Sequence, residues 1–144
     1  MLKSNVGSST APDAGVAGKE AAAKAKNGLA DIKVAFSYAS VAYVLDKMLA
    51  GIATELPGVP VIGNTSFTGV ITPEGFIGSD DGFVGVMAFA DETLAVGVAG
   101  SPKDGDARSI GRKVALVAMK KAGKNTAPDY ISIWRRRRAR KNFT

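Results

Sequence analysis

The chain writes one helix–strand pattern twice. Asp13-Ala-Gly-Val-Ala-Gly18-Lys-Glu-Ala-Ala-Ala-Lys-Ala25 aligns with Asp106-Ala-Arg-Ser-Ile-Gly111-Arg-Lys-Val-Ala-Leu-Val-Ala118. The copies share Asp-Ala, three residues, Gly, a basic residue and then Ala at matching places. A strand-like run follows each, Asp31-Ile-Lys-Val-Ala-Phe36 and Asp129-Tyr-Ile-Ser-Ile-Trp134. Repetition of one supersecondary unit constrains architecture more than any single motif. With 144 residues the chain fits one domain with a real core. The expectation is an α/β fold: a mixed sheet flanked by helices, built on a duplicated helix–strand unit. The first copy goes on to a further helix and a polar loop, whereas the second stops one strand in, so the fold is expected to be incomplete. Gly18 and Gly111 are expected to let their helices lie close to the sheet, at ~1 kcal/mol each in helix propensity.

Read in order, residues 1–9 look like a flexible leader. Thr10 can cap a helix with Pro12 and Asp13 in its first turn, and Asn27-Gly28 ends it. Ile32, Val34 and Phe36 suggest a strand ending at Ser37-Tyr38. A second helix is expected over residues 40–55, where Val41, Val44, Leu45, Met48, Leu49 and Ile52 recur at spacings of three and four and should face the core. Pro57 stops it. Residues 75–76 and 79–82 read as loop and turn. Residues 83–89 and 94–98 read as antiparallel strands joined around Asp91-Glu92-Thr93, a third helix occupies residues 106–122, and residues 130–134 form a last strand.

The most informative stretch for function begins at Pro57. A short β-branched run, Val59 to Ile62, suits a buried strand. Gly63, Asn64, Thr65, Ser66, Thr68 and Gly69 then form a polar loop with glycine at both ends. In open α/β sheets, ligands collect beyond the carboxyl ends of strands. Free backbone N–H groups, an amide and hydroxyls there suit a small polar molecule. The same residue types also close turns and cap helices with no ligand involved. Ser37 and Tyr38, at the end of the preceding strand, complete the candidate ligand site.

Composition removes several classes. There is no Cys and no His. That excludes disulfides, thiolate nucleophiles and the usual general base, and it argues against a metal site or a bound cofactor. Asp80-Asp81 are adjacent and point to opposite faces of any strand, and Asp104 and Asp106 are explained by capping. No catalysis is expected. The longest apolar region, residues 83–100, is interrupted by Asp91-Glu92 and several glycines, so no membrane span is expected and a cytoplasmic location follows. The net charge of +6 belongs to the end of the chain: Arg135, Arg136, Arg137, Arg138, Arg140 and Lys141 carry six positive charges with no acid among residues 135–144, which leaves residues 1–134 neutral. As a basic tail this segment offers an alternative role in salt-dependent binding of nucleic acid. A second alternative is a structural or interaction protein, a homo-oligomer pairing through an open sheet edge.

The Asp-Ala-x-x-x-Gly helix, the strand Asp31-Ile-Lys-Val-Ala-Phe-Ser37, the helix ending Leu49-Ala-Gly-Ile52, then Val59-Pro-Val-Ile-Gly63-x-Thr-Ser-x-x-Gly69 and Pro73-Glu-Gly75 together resemble the N-terminal domain of FIST sensory proteins, over about residues 10–134. The resemblance implies intracellular sensing in bacterial and archaeal signal transduction. It implies binding of a small molecule such as an amino acid, and a signalling output partner. The sequence departs from the family pattern at Asn64, where relatives usually carry Cys, and at Val70, where they usually carry an acid. The haem-binding branch needs a histidine that this chain lacks. Residues 135–144 resemble nothing in the family and read as a truncated or frameshifted end.

Overall fold

The computed structural model describes residues 1–78, 82–102 and 105–134. Nine elements run in the order β1 (Lys3–Ser9), α1 (Ala14–Lys26), β2 (Ile32–Ser40), α2 (Leu45–Glu55), β3 (Val61–Ser66), β4 (Gly69–Thr72), β5 (Gly75–Gly78), β6 (Val84–Ala90) and α3 (Ala107–Lys121). A four-stranded sheet has the order β1-β6-β2-β3, and β4–β5 form a separate hairpin. β6 is antiparallel to both β1 and β2, while β2 and β3 are parallel. The fold is therefore α/β with a mixed sheet, as the sequence pattern implies.

Residues 1–9 are not a loose leader. Lys3–Ser9 pairs along its whole length with β6, from Lys3 opposite Ala90 to Ser9 opposite Val84. Ser, Asn and Gly disfavour strands only weakly when a long partner supplies the hydrogen bonds. Asn5 and Lys24 then satisfy the outer edge of β1: Asn5 Oδ1 accepts from the Val6 N–H at 2.9 Å, and Lys24 Nζ donates to the Ser8 carbonyl at 2.8 Å. Side chains on the edge in this way discourage pairing by another chain.

Helix starts follow the sequence closely. Asp13 caps α1, its carboxylate accepting from the Val16 N–H at 2.9 Å, and Asp106 caps α3 by accepting from the Ser109 N–H at 2.8 Å. Thr10 is not the cap. Gly28 follows α1 with φ +72°, as a helix end requires.

One face of the sheet carries the core. Ala35 and Ala39 of β2 and Val84, Val86 and Ala88 of β6 pack against Ala17, Ala21, Ala22 and Ala25 of α1 and against Met48 and Ile52 of α2. Small side chains on α1 bring backbones together. A Cβ on Gly18 would overlap the Met48 carbonyl oxygen, and one on Gly51 would overlap the Gly15 carbonyl and reach 2.9 Å from the Lys19 nitrogen. Gly18 thus serves a helix–helix contact and not the helix–sheet contact expected of it. At Gly111, no atom of the described residues lies within 4 Å of the equivalent position. Because α2 approaches α1 at Gly51, its buried strip narrows to Met48, Gly51 and Ile52. Val41, Val44, Leu45 and Leu49, expected in the core, are exposed.

Tyr43 bolts the loop before α1 to the start of α2. Its hydroxyl donates to the Ala11 carbonyl, and burial, then the charges of Asp13 and Glu20, push its phenol pKa up. Tyr43→Phe is expected to lower stability by about 1 kcal/mol, since it removes one part-buried hydrogen bond without opening a cavity. A urea melt measures this directly.

Asp91 follows β6 and ties down the turn there. Its Oδ1 accepts from the Thr93 hydroxyl at 2.6 Å and the Thr93 N–H at 2.8 Å. These bonds, with the amino-terminal ammonium, lower its carboxyl from 3.8 to about 2. Asp106 is also lowered, by its cap bonds to Ser109, and Glu55 by its bond to Lys26. A depressed carboxyl takes up protons on unfolding, so its contribution is whole above the ordinary carboxylate range and is lost as pH falls. The urea midpoint is therefore expected to be level near pH 6 and to fall between about pH 4 and pH 2. Asp91→Asn should flatten part of that fall.

Three further expectations change. Gly75–Gly78 is a strand, paired with Gly69–Thr72 through Val70 opposite Ile77 and Ile71 opposite Phe76. Residues 94–98 and 130–134 form no ladder. The 79–82 turn lies mostly outside the described residues, as do Asp80, Asp81, Asp104 and the basic segment Arg135, Arg136, Arg137, Arg138, Arg140 and Lys141.

Candidate functional site at the carboxyl ends of β2 and β3

The polar stretch after Ile62 is not a loop through its first half. Gly63, Asn64, Thr65 and Ser66 continue β3, in parallel register with Ser37, Tyr38, Ala39 and Ser40 of β2. A Cβ on Gly63 would overlap the Ser37 carbonyl, so glycine lets β3 close on β2 here. Only Phe67 and Thr68 make the turn. Ser66 closes it: its hydroxyl donates to the Gly69 carbonyl at 2.7 Å and accepts from the Gly69 N–H at 3.3 Å. Gly69 adopts φ +147°, where a Cβ would overlap the Ile77 carbonyl. For Ser66 and Gly69, turn closure accounts for the residue types.

Strand alternation divides the remaining candidates between two faces. Ser37 lies on the helical face, buried, with its hydroxyl 4.0 Å from Met48 Sδ. Tyr38 and its register partner Asn64 lie on the opposite face. There the Tyr38 ring meets Trp134 edge-on at 5.6 Å, beside Phe36, which meets Phe89 at 5.7 Å. Asn64, Thr65 and Thr68 are exposed. The structure thus sets Tyr38 and Asn64 on one face of the sheet, and Ser37 with Thr65, the register partner of Ala39, on the other.

The connections leaving these strand ends diverge. After β2 the chain turns into α2, on the face that holds Val84 and Val86. After β3 it turns into the β4–β5 hairpin on the other face, where Val70 lies against Gly85 at 3.2 Å from its Cβ position. Adjacent parallel strands whose connections leave on opposite faces have the arrangement of a topological switch point, and in open α/β sheets ligands bind outside the carboxyl ends of such strands. Two contributors were missed in the sequence. Ser40 is buried there, its Oγ accepting from the Ala42 N–H at 3.2 Å. The start of α2 is the other: Val44 stands at the N-cap and makes no side-chain capping bond. The sequence did carry that signal, since residues 41–44 contain no Ser, Thr, Asp or Asn.

Two hollows lie elsewhere. One of about 530 Å³ at the end of α1, lined by Lys24, Asn27 and Leu29 among others, is open to solvent on most sides. Another of about 370 Å³ separates the edge of β1 from Thr72, Glu74 and Phe76 of the hairpin. Neither includes a residue of the 63–69 stretch. No group of three or more acidic side chains able to hold a metal ion occurs among the described residues, and no described helix is long and apolar enough to cross a membrane.

The family model of the FIST N domain matches residues 33–137, most of the chain and all of the switch point. The chain belongs to the FIST N domain family. This is a family of signal transduction sensory domains. No curated protein matches the chain. The FIST match starts within β2 and so takes in β2, α2, β3, the hairpin, β6 and α3, while β1 and α1 precede it.

Proposed function

We propose that this FIST N domain is an intracellular, non-catalytic sensor that binds a small polar metabolite of the amino-acid class in the crevice between the carboxyl ends of β2 and β3. The observation that carries the reading is the divergence of the two connections around Ser40 and Ser66. The chemistry available there suits such a ligand. The uncapped start of α2 offers backbone N–H groups and a positive helix end to a carboxylate. Asn64, Thr65 and Thr68 offer an amide and hydroxyls, and Tyr38 gives an aromatic wall. The hollow beside β1 is the rival location, but its Lys24 is engaged with the Ser8 carbonyl.

A thermal melt against a panel of amino acids tests the reading. A ligand at ~100 times its dissociation constant contributes roughly 2.7 kcal/mol and should raise the midpoint by several degrees. Asn64→Ala with Thr65→Ala should abolish the shift and leave the ligand-free melt within about 0.5 kcal/mol of the parent, since both side chains are exposed. Absence of any shift across the panel would contradict ligand binding. A shift that survives the double replacement would contradict its location.

A further inference from the structure

At its carboxyl end β2 offers accessible surface at one residue. Ser37, Ala39 and Ser40 are 4%, 1% and 1% exposed, whereas Tyr38 is 37% exposed. The register partners of Tyr38 are Asn64 of β3, also exposed, and Gly85 of β6. All three lie on the face turned away from α1 and α2. Val34, Phe36, Ile62, Met87 and Phe89 continue that face, so β2, β3 and β6 place no charged side chain on it. A distant part of the chain returns to the same face. Trp134 sets its ring edge-on to Tyr38 at 5.6 Å and lies 6.2 Å from Phe36. Its indole N–H is buried and has no acceptor among the described residues. A buried donor left without an acceptor costs about 1–3 kcal/mol, and folded proteins keep few of them.

We propose that Trp134 contacts the ligand and, with Tyr38, selects an amino acid that carries an aromatic or other large apolar side chain. This contact, which rests on the ligand reading above, narrows the site to one face of the sheet. A ligand that touches both strand ends reaches β2 only at Tyr38, and the ring beside Tyr38 is Trp134. The ligand's side chain lies against these two rings, where burial of apolar surface is favourable. A ligand oxygen accepts the indole N–H, on the face that also carries the Asn64 amide. A charged side chain would lose water here and find no group of opposite sign on these strands, which costs more than the rings return. Of the exposed pair Asn64 and Thr65, only Asn64 takes part, because Thr65 is the register partner of Ala39 on the other face.

Trp134 is the only tryptophan in the chain, so its emission reads the contact directly. Phenylalanine and leucine, titrated into the full chain, are expected to change that emission saturably and to raise the thermal midpoint over the same concentrations. Aspartate and lysine should need about tenfold more or greater. Tyr38→Ala and Trp134→Ala should each weaken phenylalanine binding by about tenfold or more in calorimetry, whereas Thr65→Ala should leave it unchanged. Emission is read on the unaltered chain, so the test holds even where a replacement fails to fold. A midpoint shift without any change in Trp134 emission, or tighter binding of aspartate or lysine than of phenylalanine, overturns this contact and leaves the ligand reading standing. No midpoint shift with any amino acid overturns both.

Discussion

Gly51→Ala is expected to destabilise the protein by about 3 kcal/mol or more, lowering the thermal midpoint by roughly 10 °C. The added Cβ would overlap the Gly15 carbonyl oxygen and press on the Lys19 nitrogen, and neither can swing away because both are helix backbone. Relief requires α1 and α2 to separate, which opens the layer holding Met48 and Ile52. Against this stands the ~1 kcal/mol that alanine gains over glycine in a helix interior. The clash outweighs it. Gly111→Ala supplies the contrast: the same exchange in the duplicated helix meets nothing within 4 Å and should raise stability by up to ~1 kcal/mol. Opposite signs at two positions the sequence treats as equivalent would show that only the first copy is packed against a partner helix. Chemical denaturation of the two variants side by side reads this out.

Phe83→Ala is expected to cost about 3–5 kcal/mol. Phe83 is fully buried, among the largest such side chains, and sits just before β6. Its carbonyl accepts the Ser40 N–H at 2.8 Å, which anchors the carboxyl end of β2. Removing the ring should therefore loosen the ends of both strands as well as lower the melt. Phe83→Leu, which keeps most of the volume, should cost less than half as much. Equal losses for both would mean that the ring's shape, not its bulk, is what the site requires.

The sequence was most legible where a residue type has one physical job. Asp13 and Asp106 cap helices and Asn27-Gly28 ends one, while the like contacts of Lys24 and Lys121 with the chain beside each helix fall one helical turn apart in the repeat's alignment. It was least legible where a neighbour decides. β1 is a run of Ser, Asn and Gly that becomes a strand because β6 runs beside it, and β6 is far away in the chain. Conversely, residues 94–98 are more apolar than β1 yet stay unpaired among the described residues. The apolar face assigned to α2 was too wide because glycine at position 51 concentrates burial on a narrow strip, a contact that hydrophobic spacing does not register.

The candidate site was half legible. The junction of an apolar run with Gly63-Asn-Thr-Ser66 does fall at the carboxyl end of a strand parallel to β2. Alternation along β2 already implied that Ser37 and Tyr38 face opposite ways; what spacing could not give was the role of Ser66 in closing its own turn. The switch-point arrangement itself depends on the direction each connection takes after its strand, and that is set by packing of α2 and of the hairpin on opposite faces.

The most direct measurement is a backbone amide NMR titration of the full chain with the amino-acid panel. Saturable shifts confined to residues 37–47 and 63–69, around the ends of β2 and β3 and the start of α2, are the expected result. Saturable shifts centred instead on Lys24, Glu74 and Phe76, or none for any ligand in the panel, would contradict the account.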